Sequence, residues 1–476
     1  MNQTGSHEHE VLIVGAGAGG CAAAYRLVLN GRRVLLLEKG VALPDDGSTM
    51  DPAQVIAGRF NSHEEWNDVR RGRRFQPEEH FNLGGKTCWY GAALLRLERR
   101  EFEPEPGCDL LPWPLGYDEL APYYAEAEQL LEVRVFDDEP DLLRMRQALA
   151  AAGWQMQPLQ LGLSADIAAH PYEQTHYDGY AVPGGFKADA RHRLLDRLQG
   201  DDRLRIETGA AVAELLADAT DPRRIAGVRC ADGREFRASR VLLAAGAMHS
   251  PRLLQSYLAT TGLDAQLPAA RSVGRNFKRH ILTAVIGFGW RIKTDRICKT
   301  ALLLHQRFPH SSVQPLGGWA DRETIRALLP AWLPRWLREF VALRAYGFFL
   351  QTEDGSHADN RVIAGDQGLP TLDYDLARMP ALASEHRHMV AAFRRAFLRA
   401  GYVNFKQSIA LQGTAHCAGT LVAGDDPARS VVDREGAVHG MDNLYVVDGS
   451  VLPRLGRMNP ALSIYAWALR VAARMS

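Results

Sequence analysis

The chain has 476 residues, which is too long for one ordinary domain and predicts two or three. Its 46% hydrophobic and 24% charged residues are typical of a globular protein. The 56 basic and 56 acidic side chains cancel, so a general attraction to nucleic acid or to an anionic membrane is excluded.

The N-terminal stretch is polar and lacks the basic-then-apolar order of a signal peptide. No run approaches the ~18 apolar residues of a membrane span. The six cysteines form neither a CxxC pair nor a zinc-like spacing with histidine, so we expect reduced thiols and no metal site. These features favour a cytoplasmic protein.

The first structured segment predicts a βαβ unit. A strand over Glu10–Gly15 is apolar on both faces, as a buried parallel strand requires. A helix follows to about Asn30, and a second strand covers Arg33–Glu38.

The turn inside this unit fits the pattern GxGxxG, whose glycines allow a tight turn, approach of a pyrophosphate and close helix packing. The helix N-terminus offers amide donors to the phosphates, and an acid about 20 residues on binds the adenosine ribose. An acid there disfavours a 2′-phosphate, but the turn alone leaves FAD and NAD both open. The predicted binding residues of this unit are Gly15, Gly17, Ala18, Gly19, Gly20 and Glu38.

The middle of the chain alternates between helical and extended patterns. Ser250 and Pro251 are expected to start a helix as N-cap and first-turn proline. The other predicted elements are a helix within 113–133, short strands in 203–217 and 225–238, and an apolar strand over Val241–Ala245.

Residues 281–405 give a looser pattern of short strands and helices. The tail then returns to a strand, Leu444–Val447, and a final helix from Pro460. Nucleotide-binding material therefore lies at the start, middle and end of the chain, which predicts one discontinuous cofactor domain with a second domain inserted into it.

Four further motifs follow the glycine turn, and together the five span nearly the whole chain. They resemble the motifs of the glucose–methanol–choline (GMC) oxidoreductases, and the sub-pattern is most similar to the bacterial sugar-dehydrogenase and pyranose-oxidase side of that family. The motifs are NLGGKTCWYG from Asn82, VLLAAGAMHSPRLLQ from Val241, VGRNF from Val273, and a tail that comprises HCAGT from His416, Asp426-Pro427, Ser430–Asp433, NLYVVDGSVLP and Asn459-Pro460.

The resemblance implies an α/β fold: a Rossmann-like FAD-binding domain of the glutathione-reductase/GMC type with an inserted α+β substrate domain built on an antiparallel sheet. We assign residues 1–110, 185–280 and 406–476 to the FAD-binding domain. Residues 111–184 and 281–405 are assigned to the substrate-binding domain.

The cofactor implied is FAD, bound noncovalently, because the Gly-Gly loop lacks the histidine through which some members attach it. Cys88 is the remote alternative anchor. The chain departs from the family where Ala423-Gly424 replaces the usual Met-Gly, and where Trp89 follows the Gly-Gly pair sooner than expected. The further cofactor-binding residues implied are Gly84, Gly85, Thr87, Val212, Ala245, Gly246, Asp448, Gly449, Asn459 and Pro460.

Two of these matches concern catalysis. His416 aligns with the family's catalytic histidine, and an imidazole has a pKa suited to a general base. Asn459 aligns with the residue that hydrogen-bonds the substrate oxygen, although an asparagine before Pro460 is also a good helix N-cap. Glu353 resembles a substrate-domain residue that contacts a polar substrate group, and a solvated loop acid is the alternative.

The function implied is oxidation of an alcohol, of a sugar-like or polyhydroxylated compound, by hydride transfer to flavin N5. A non-redox FAD lyase and a catalytically silent flavoprotein are the alternatives. The electron acceptor, oxygen or a quinone or redox protein, and the oligomeric state stay open; no nucleic-acid partner is expected.

Two stretches lie outside the family motifs. The arginines of residues 70–74 are interpreted as a solvated face, with docking of an acidic partner as the alternative. Residues 324–344 combine apolar and arginine positions and are interpreted as a lid or dimer contact, with a membrane-surface segment as the alternative.

Overall fold

Buried apolar strands form the centre of the molecule, in a computed structural model that describes residues 9–105, 107, 109–365, 368–413 and 415–475. In those ranges the strands are β1 (His9–Val14), β2 (Val34–Leu37), β3 (Trp66–Asp68), β4 (Arg73–Phe75), β5 (Arg134–Val135), β6 (Gln155–Pro158), β7 (Gln160–Leu161), β8 (Leu204–Glu207), β9 (Val212–Ala217), β10 (Ile225–Cys230), β11 (Glu235–Leu243), β12 (Ile281–Phe288), β13 (Ala301–Leu304), β14 (Ser311–Pro315), β15 (Ala345–Thr352), β16 (Arg361–Ile363), β17 (Thr371–Asp373), β18 (Val403–Ser408) and β19 (Leu444–Val446).

Ten α-helices accompany these strands in the described part of the chain. They are α1 (Ala18–Leu29), α2 (Pro52–Ile56), α3 (Tyr117–Leu130), α4 (Pro140–Ala151), α5 (Pro171–His176), α6 (Ser250–Thr261), α7 (Arg322–Leu328), α8 (Arg335–Ala342), α9 (Pro380–Arg399) and α10 (Ala461–Arg474).

The first sheet is parallel at its centre, in the order β8-β2-β1-β11, with β19 also parallel to β11. The central strands β1 and β2 bury apolar residues on both faces, as in parallel sheets that helices cover. The strands β10 and β9 extend the sheet in an antiparallel meander. Helix α1 packs against α10, so the two ends of the chain share one core.

One long strand, β11, replaces the two that the sequence pattern suggested. Its first half pairs antiparallel with β10, where Val228 faces Phe236. Its second half pairs parallel with β1, where Leu12 faces Val241. The two halves of β11 are continuous, and each pairs with a different neighbouring strand.

Ser250 is the first residue of α6 and not its N-cap, which is His249. The Ser250 hydroxyl accepts a hydrogen bond from the Ala245 amide at 3.0 Å and donates one to Asp448. This serine therefore links two loops of the first sheet, while Pro251 lies in the first helical turn as predicted.

The second sheet has six antiparallel strands in the order β18-β12-β15-β14-β13-β6. Helix α9 covers it and packs against β12, β14, β15 and β18. The predicted fold class, a Rossmann-like sheet with an antiparallel substrate-domain sheet, is confirmed.

Two elements do not follow the predicted domain boundaries. Helix α3 was assigned to the substrate-binding domain, but it packs against α10, where the Tyr124 hydroxyl lies 2.7 Å from the Ser463 hydroxyl. Strand β18 begins at Val403, within the segment assigned to the substrate domain, and continues past 406 because it pairs along β12.

Residues 324–344 form parts of two short helices, α7 and α8, because Pro330 and Pro334 interrupt the pattern. Trp332 and Trp336 are 80% and 69% exposed. Across the described residues, we find no helix with both the length and the apolarity needed to cross a membrane.

Candidate active site

The glycine turn between β1 and α1 leaves room for a ligand at one position only. A Cβ on Gly15, Gly19 or Gly20 would lie 1.9–2.4 Å from a backbone carbonyl oxygen. At Gly17, by contrast, nothing lies within 4 Å of such a Cβ. No side chain caps α1, so its first-turn amides stay available to a phosphate.

The Gly-Gly loop lies across this turn. The Gly84 amide donates to the Ala16 carbonyl at 2.9 Å, and a Cβ on Gly85 would come within 3.0 Å of the Gly17 Cα. Thr87 fixes the loop, since its hydroxyl donates to the Gly84 carbonyl at 2.6 Å and accepts from the Ala190 amide at 2.9 Å.

Glu38 is buried at the end of β2 and accepts amide hydrogen bonds from Ala16 and Gly40, both at 2.9 Å. Burial raises the pKa of this carboxyl. Its main-chain carbonyl accepts from the Ala210 amide at 2.9 Å, which brings the start of β9 and Val212 toward the same edge. Each carboxylate oxygen keeps a lone pair with which a ribose hydroxyl could bond.

Asp448 joins the loop after β11 to the loop after β19. One of its oxygens accepts from the Gly246 amide at 2.8 Å and from the Ser250 hydroxyl, and the other accepts from the Ser450 amide at 2.8 Å and from its hydroxyl. This carboxylate thus holds Ala245–Gly246 and Gly449 together and has a structural role in addition to any cofactor contact. Burial raises its pKa.

The segment that carries His416 runs beside Gly449: the Gly419 amide donates to the Gly449 carbonyl at 3.2 Å, and a Cβ on Gly449 would lie 3.3 Å from the Cys417 carbonyl oxygen. The His416 Nε2 is 3.4 Å from the Asn459 Nδ2, and its Nδ1 is 2.9 Å from the Nδ1 of His280. Burial, then the nearby His280 and the cations Lys299, Lys86 and Arg279, lower the pKa of His416 well below its ordinary value.

Asn459 faces His416 and does not cap α10. The N-cap position is Pro460, and no side chain bonds the first amides of the helix. The Asn459 Oδ1 accepts from the Gln314 Nε2 at 2.6 Å. Its amide nitrogen is consequently turned toward His416, and the N-cap alternative is not what the side chain does.

Glu353 has other partners than the polar substrate group that the sequence suggested. It is 1% exposed, and its oxygens accept from the Arg454 guanidinium at 2.8 and 3.1 Å and from the Gly456 amide at 2.8 Å. A solvated loop acid is excluded too. A buried charge needs a partner of opposite charge, and Arg454 provides it. Through these hydrogen bonds the carboxylate fixes the loop at 454–456.

Three residues of this site escaped the sequence analysis. His280, Gln314 and Lys299 all contact or face the His416 region and come from the second sheet or its edges. His280 follows the VGRNF motif by three positions, which was the one available signal. Lys299 is held by Asp178 at 2.9 Å.

The arginines of residues 70–74 have acidic neighbours. Arg70 pairs with Asp375 at 2.6 Å and Arg74 with Glu65 at 3.0 Å, and all of these arginines are exposed. The solvated-face interpretation accounts for these contacts.

Comparison with family models gives two adjoining matches. A model described as FAD dependent oxidoreductase matches residues 10–357, and one described as GMC oxidoreductase, covering the C-terminal part, matches residues 356–468. The chain belongs to the GMC family of FAD-dependent oxidoreductases. The predicted family and the predicted enzyme class, an FAD-dependent alcohol oxidoreductase, are confirmed.

Among curated proteins, this GMC oxidoreductase is 29% identical to paromamine 6'-oxidase of Streptomyces fradiae. It is 28% identical to 6'''-hydroxyparomomycin C oxidase of Streptomyces lividus. Each alignment covers 97% of this chain and 90% of the relative.

Among solved structures, it is similar to pyridoxine 4-oxidase from Mesorbium loti, with a TM-score of 0.71 and 19% identity. That match covers 98% of this chain and 99% of the other. At this identity the likeness concerns the fold.

Proposed function

We propose that this enzyme oxidises an alcohol group of a sugar-like or polyhydroxylated small molecule, with His416 as the general base. The observation that carries the proposal is the pairing of His416 Nε2 with Asn459 Nδ2 at 3.4 Å, beside Gly449 and the glycine turn. The two relatives named for oxidation of paromamine and of 6'''-hydroxyparomomycin C support the substrate class.

The residues present fit FAD. The open space at Gly17, the uncapped start of α1 and the buried Glu38 suit a pyrophosphate and a ribose. Further residues would contribute to holding the cofactor: Gly84, Gly85, Thr87, Val212 and the Ala245–Gly246 turn. Asp448, Gly449 and Pro460 would hold the cofactor near the start of α10, whose positive end favours negative charge by about 0.3–2 kcal/mol. When bound, FAD supplies the acceptor for a hydride.

The chain's own part in the reaction is to position the alcohol and take its proton. Asn459 Nδ2 donates a hydrogen bond to the substrate oxygen, and His416 Nε2 accepts the hydroxyl proton. Loss of that proton raises the electron density on the carbon and makes departure of a hydride easier. A positioned base contributes roughly 10²–10⁴-fold.

The test is anaerobic stopped-flow reduction of the bound flavin by polyols, aminoglycosides and simple alcohols. His416→Ala should load FAD normally and be reduced about 10²–10⁴-fold more slowly than wild type. His388→Ala, an exposed histidine on α9, is the matched control. Wild-type reduction in His416→Ala would exclude this mechanism, and turnover of a substrate without bleaching of the flavin would favour the lyase alternative.

The acceptor is tested with the same reduced enzyme. Re-oxidation by air indicates an oxidase, whereas re-oxidation only by a quinone or dye indicates a dehydrogenase that serves a quinone or redox protein. We further propose that residues 111–184 apart from α3, together with 281–405 and the rest of β18, supply the substrate-binding domain over the flavin. We also propose that the enzyme acts in the cytoplasm.

FAD is proposed to be noncovalent. The Gly-Gly loop has no histidine, and the Cys88 thiol is buried with its pKa raised well above the ordinary value by burial. A protonated, buried thiol is a poor nucleophile. Acid precipitation should therefore leave the yellow colour in the supernatant, and colour in the pellet would contradict the proposal.

A further inference from the structure

We propose that His280 is a positioning residue that fixes the ring tautomer of His416, so that the Nε2 of His416 carries a lone pair toward the substrate. This inference rests on the proposed function, because it concerns how the base is kept ready. A neutral histidine carries one ring proton, and which nitrogen holds it follows from the partner of the other nitrogen.

The assignment begins at the carbonyl of Gly456. His280 is 0% exposed, and its Nε2 is 2.7 Å from that carbonyl oxygen. A carbonyl can only accept, so the Nε2 of His280 must carry a proton. Burial lowers the pKa of His280 to about 4, so the ring is neutral at neutral pH and its Nδ1 is unprotonated.

The second step passes from His280 to His416. The two Nδ1 atoms are 2.9 Å apart, and the rings meet edge to face with their planes at 81°. Because the Nδ1 of His280 can only accept, the Nδ1 of His416 donates and holds the one proton of that neutral ring. The Nε2 of His416 is left unprotonated, which agrees with its approach to an amide donor of Asn459.

The Gly456 carbonyl that starts this sequence is itself held in place. The amide of Gly456 donates to Glu353, which is paired with Arg454. The next carbonyl along the chain, that of Arg457, accepts from the Ser312 hydroxyl at 2.7 Å and from the Gln351 side-chain amide at 2.8 Å. Glu353 therefore acts on His416 through the loop at 454–456 and through His280.

Protons and electrons balance in the proposed reaction. The O–H bond of the alcohol breaks, its electron pair stays on the oxygen, and the proton goes to the Nε2 of His416. The carbon loses a hydride to the flavin, and a carbonyl forms. His416 is then a cation with both nitrogens protonated, and its Nδ1–H still donates to the unprotonated Nδ1 of His280. With the opposite tautomer, Nε2 would present a hydrogen to the alcohol and could not accept.

The test uses the wild-type holoenzyme with ¹⁵N-labelled histidine, and the ring resonances are assigned by their loss in His416→Gln. We expect the Nε2 of His416 to show the shift of an unprotonated nitrogen and its Nδ1 that of a protonated one. A protonated Nε2 in the wild-type resting enzyme overturns the inference without any variant at His280.

The variant arm is His280→Phe, which removes the acceptor for His416. We expect a substantial fraction of Nε2-protonated His416 and flavin reduction slowed by about 10- to 10³-fold, less than the full contribution of a base. FAD content and the alcohol concentration for half-maximal reduction should stay within about threefold of wild type, since no binding residue changes.

His386→Phe is the matched control for packing. His386 is also buried, on helix α9 against the second sheet, with its nitrogens 2.9 Å from the hydroxyls of Thr283 and Thr352, and its hydrogen bonds do not involve His416. It should keep the wild-type tautomer. An unchanged tautomer and rate in His280→Phe refute this inference alone, whereas fast reduction in His416→Ala refutes the proposed function.

Discussion

His416 combines two properties of a base that is ready at neutral pH. Burial and the nearby charges of Lys299, Lys86 and Arg279 lower its pKa well below the ordinary value, so its neutral form persists on acidification. The same cations disfavour the protonated form that follows proton transfer. Release of that proton after each turnover is therefore favourable.

The pH dependence of flavin reduction follows from this sign. The reactive form is the unprotonated one, and it is lost only when pH falls through the lowered pKa of His416. The anaerobic reduction rate at saturating alcohol should thus stay constant as the pH falls from 8 to below 6.5, the pKa of an unperturbed histidine. A tenfold fall per pH unit starting at 6.5 would contradict an essential His416 with this lowered pKa.

Asn459 should matter less than His416. Its removal deletes one hydrogen bond to the substrate oxygen, which is worth roughly 0.5–1.5 kcal/mol, or up to about tenfold in rate. Asn459→Ala should slow reduction by that factor and leave the melting temperature within a few degrees of wild type, because the side chain does not cap α10. An unchanged rate with a large loss of stability would restore the capping role.

At the scale of residues, the sequence identifies groups that lie inside motifs and misses groups that act across the fold. His416 and Asn459 were predicted from family patterns, and the structure places them 3.4 Å apart. His280 lies 136 residues from His416, so their contact depends on how the second sheet meets the tail. Glu353 could not be interpreted correctly without Arg454, its partner 101 residues away.

Among the elements, the glycine turn offers a test that separates ligand binding from folding. A methyl group at Gly17 meets nothing within 4 Å in the protein, whereas one at Gly19 would lie 1.9 Å from the Val447 carbonyl oxygen. Gly17→Ala should leave the thermal stability of the apoprotein unchanged and weaken FAD binding at least tenfold.

Gly19→Ala is the matched variant for this comparison. It should destabilise the apoprotein, because the backbone of α1 must move away from β19. Melting of the FAD-free proteins and titration with FAD measure both effects. Wild-type FAD affinity in Gly17→Ala would place the pyrophosphate elsewhere.

Strands and helices with a strong local sequence pattern were predicted well. A strand that pairs with two neighbouring strands in different ways was not. The strand β1 is apolar on both faces and could be recognised as a buried parallel strand. The continuous β11 could not, since its two halves obey different pairing rules. In residues 324–344 the mixture of apolar and arginine positions gave no prediction of the break between α7 and α8.

The stability of the whole molecule should depend on pH through its buried neutral histidines. Burial lowers the pKa of His386 to about 3, against about 6.5 in an unfolded chain. Between pH 6.5 and 3 His386 is protonated in the unfolded chain but not in the folded protein. Its contribution to the stability of the fold is therefore present above pH 6.5 and is lost as the pH falls toward 3.

The measurement compares wild type with His386→Gln in urea at pH 7.5, 6 and 5. The stability difference between them should shift against wild type by at most about 1.4 kcal/mol per pH unit below 6.5. Comparing the two proteins cancels the other groups that titrate in this range. A difference that does not change with pH would show that His386 is charged or exposed in the folded state.

The site also has a consequence for biosynthesis, because its halves come from opposite ends of the chain. Gly15 is made early and Asp448 about 430 residues later, so on a ribosome that adds roughly 5–20 residues per second the wait lasts between about 20 and 90 s. For about the first half of that time β1, whose core residues are apolar on both faces, lacks its partner β11. For the whole of it β11 or its nascent segment lacks β19, and Gly19 lacks the Val447 carbonyl against which it packs. We therefore expect the nascent chain to capture FAD only after translation is nearly complete, and the early strand to depend on chaperone shelter until then.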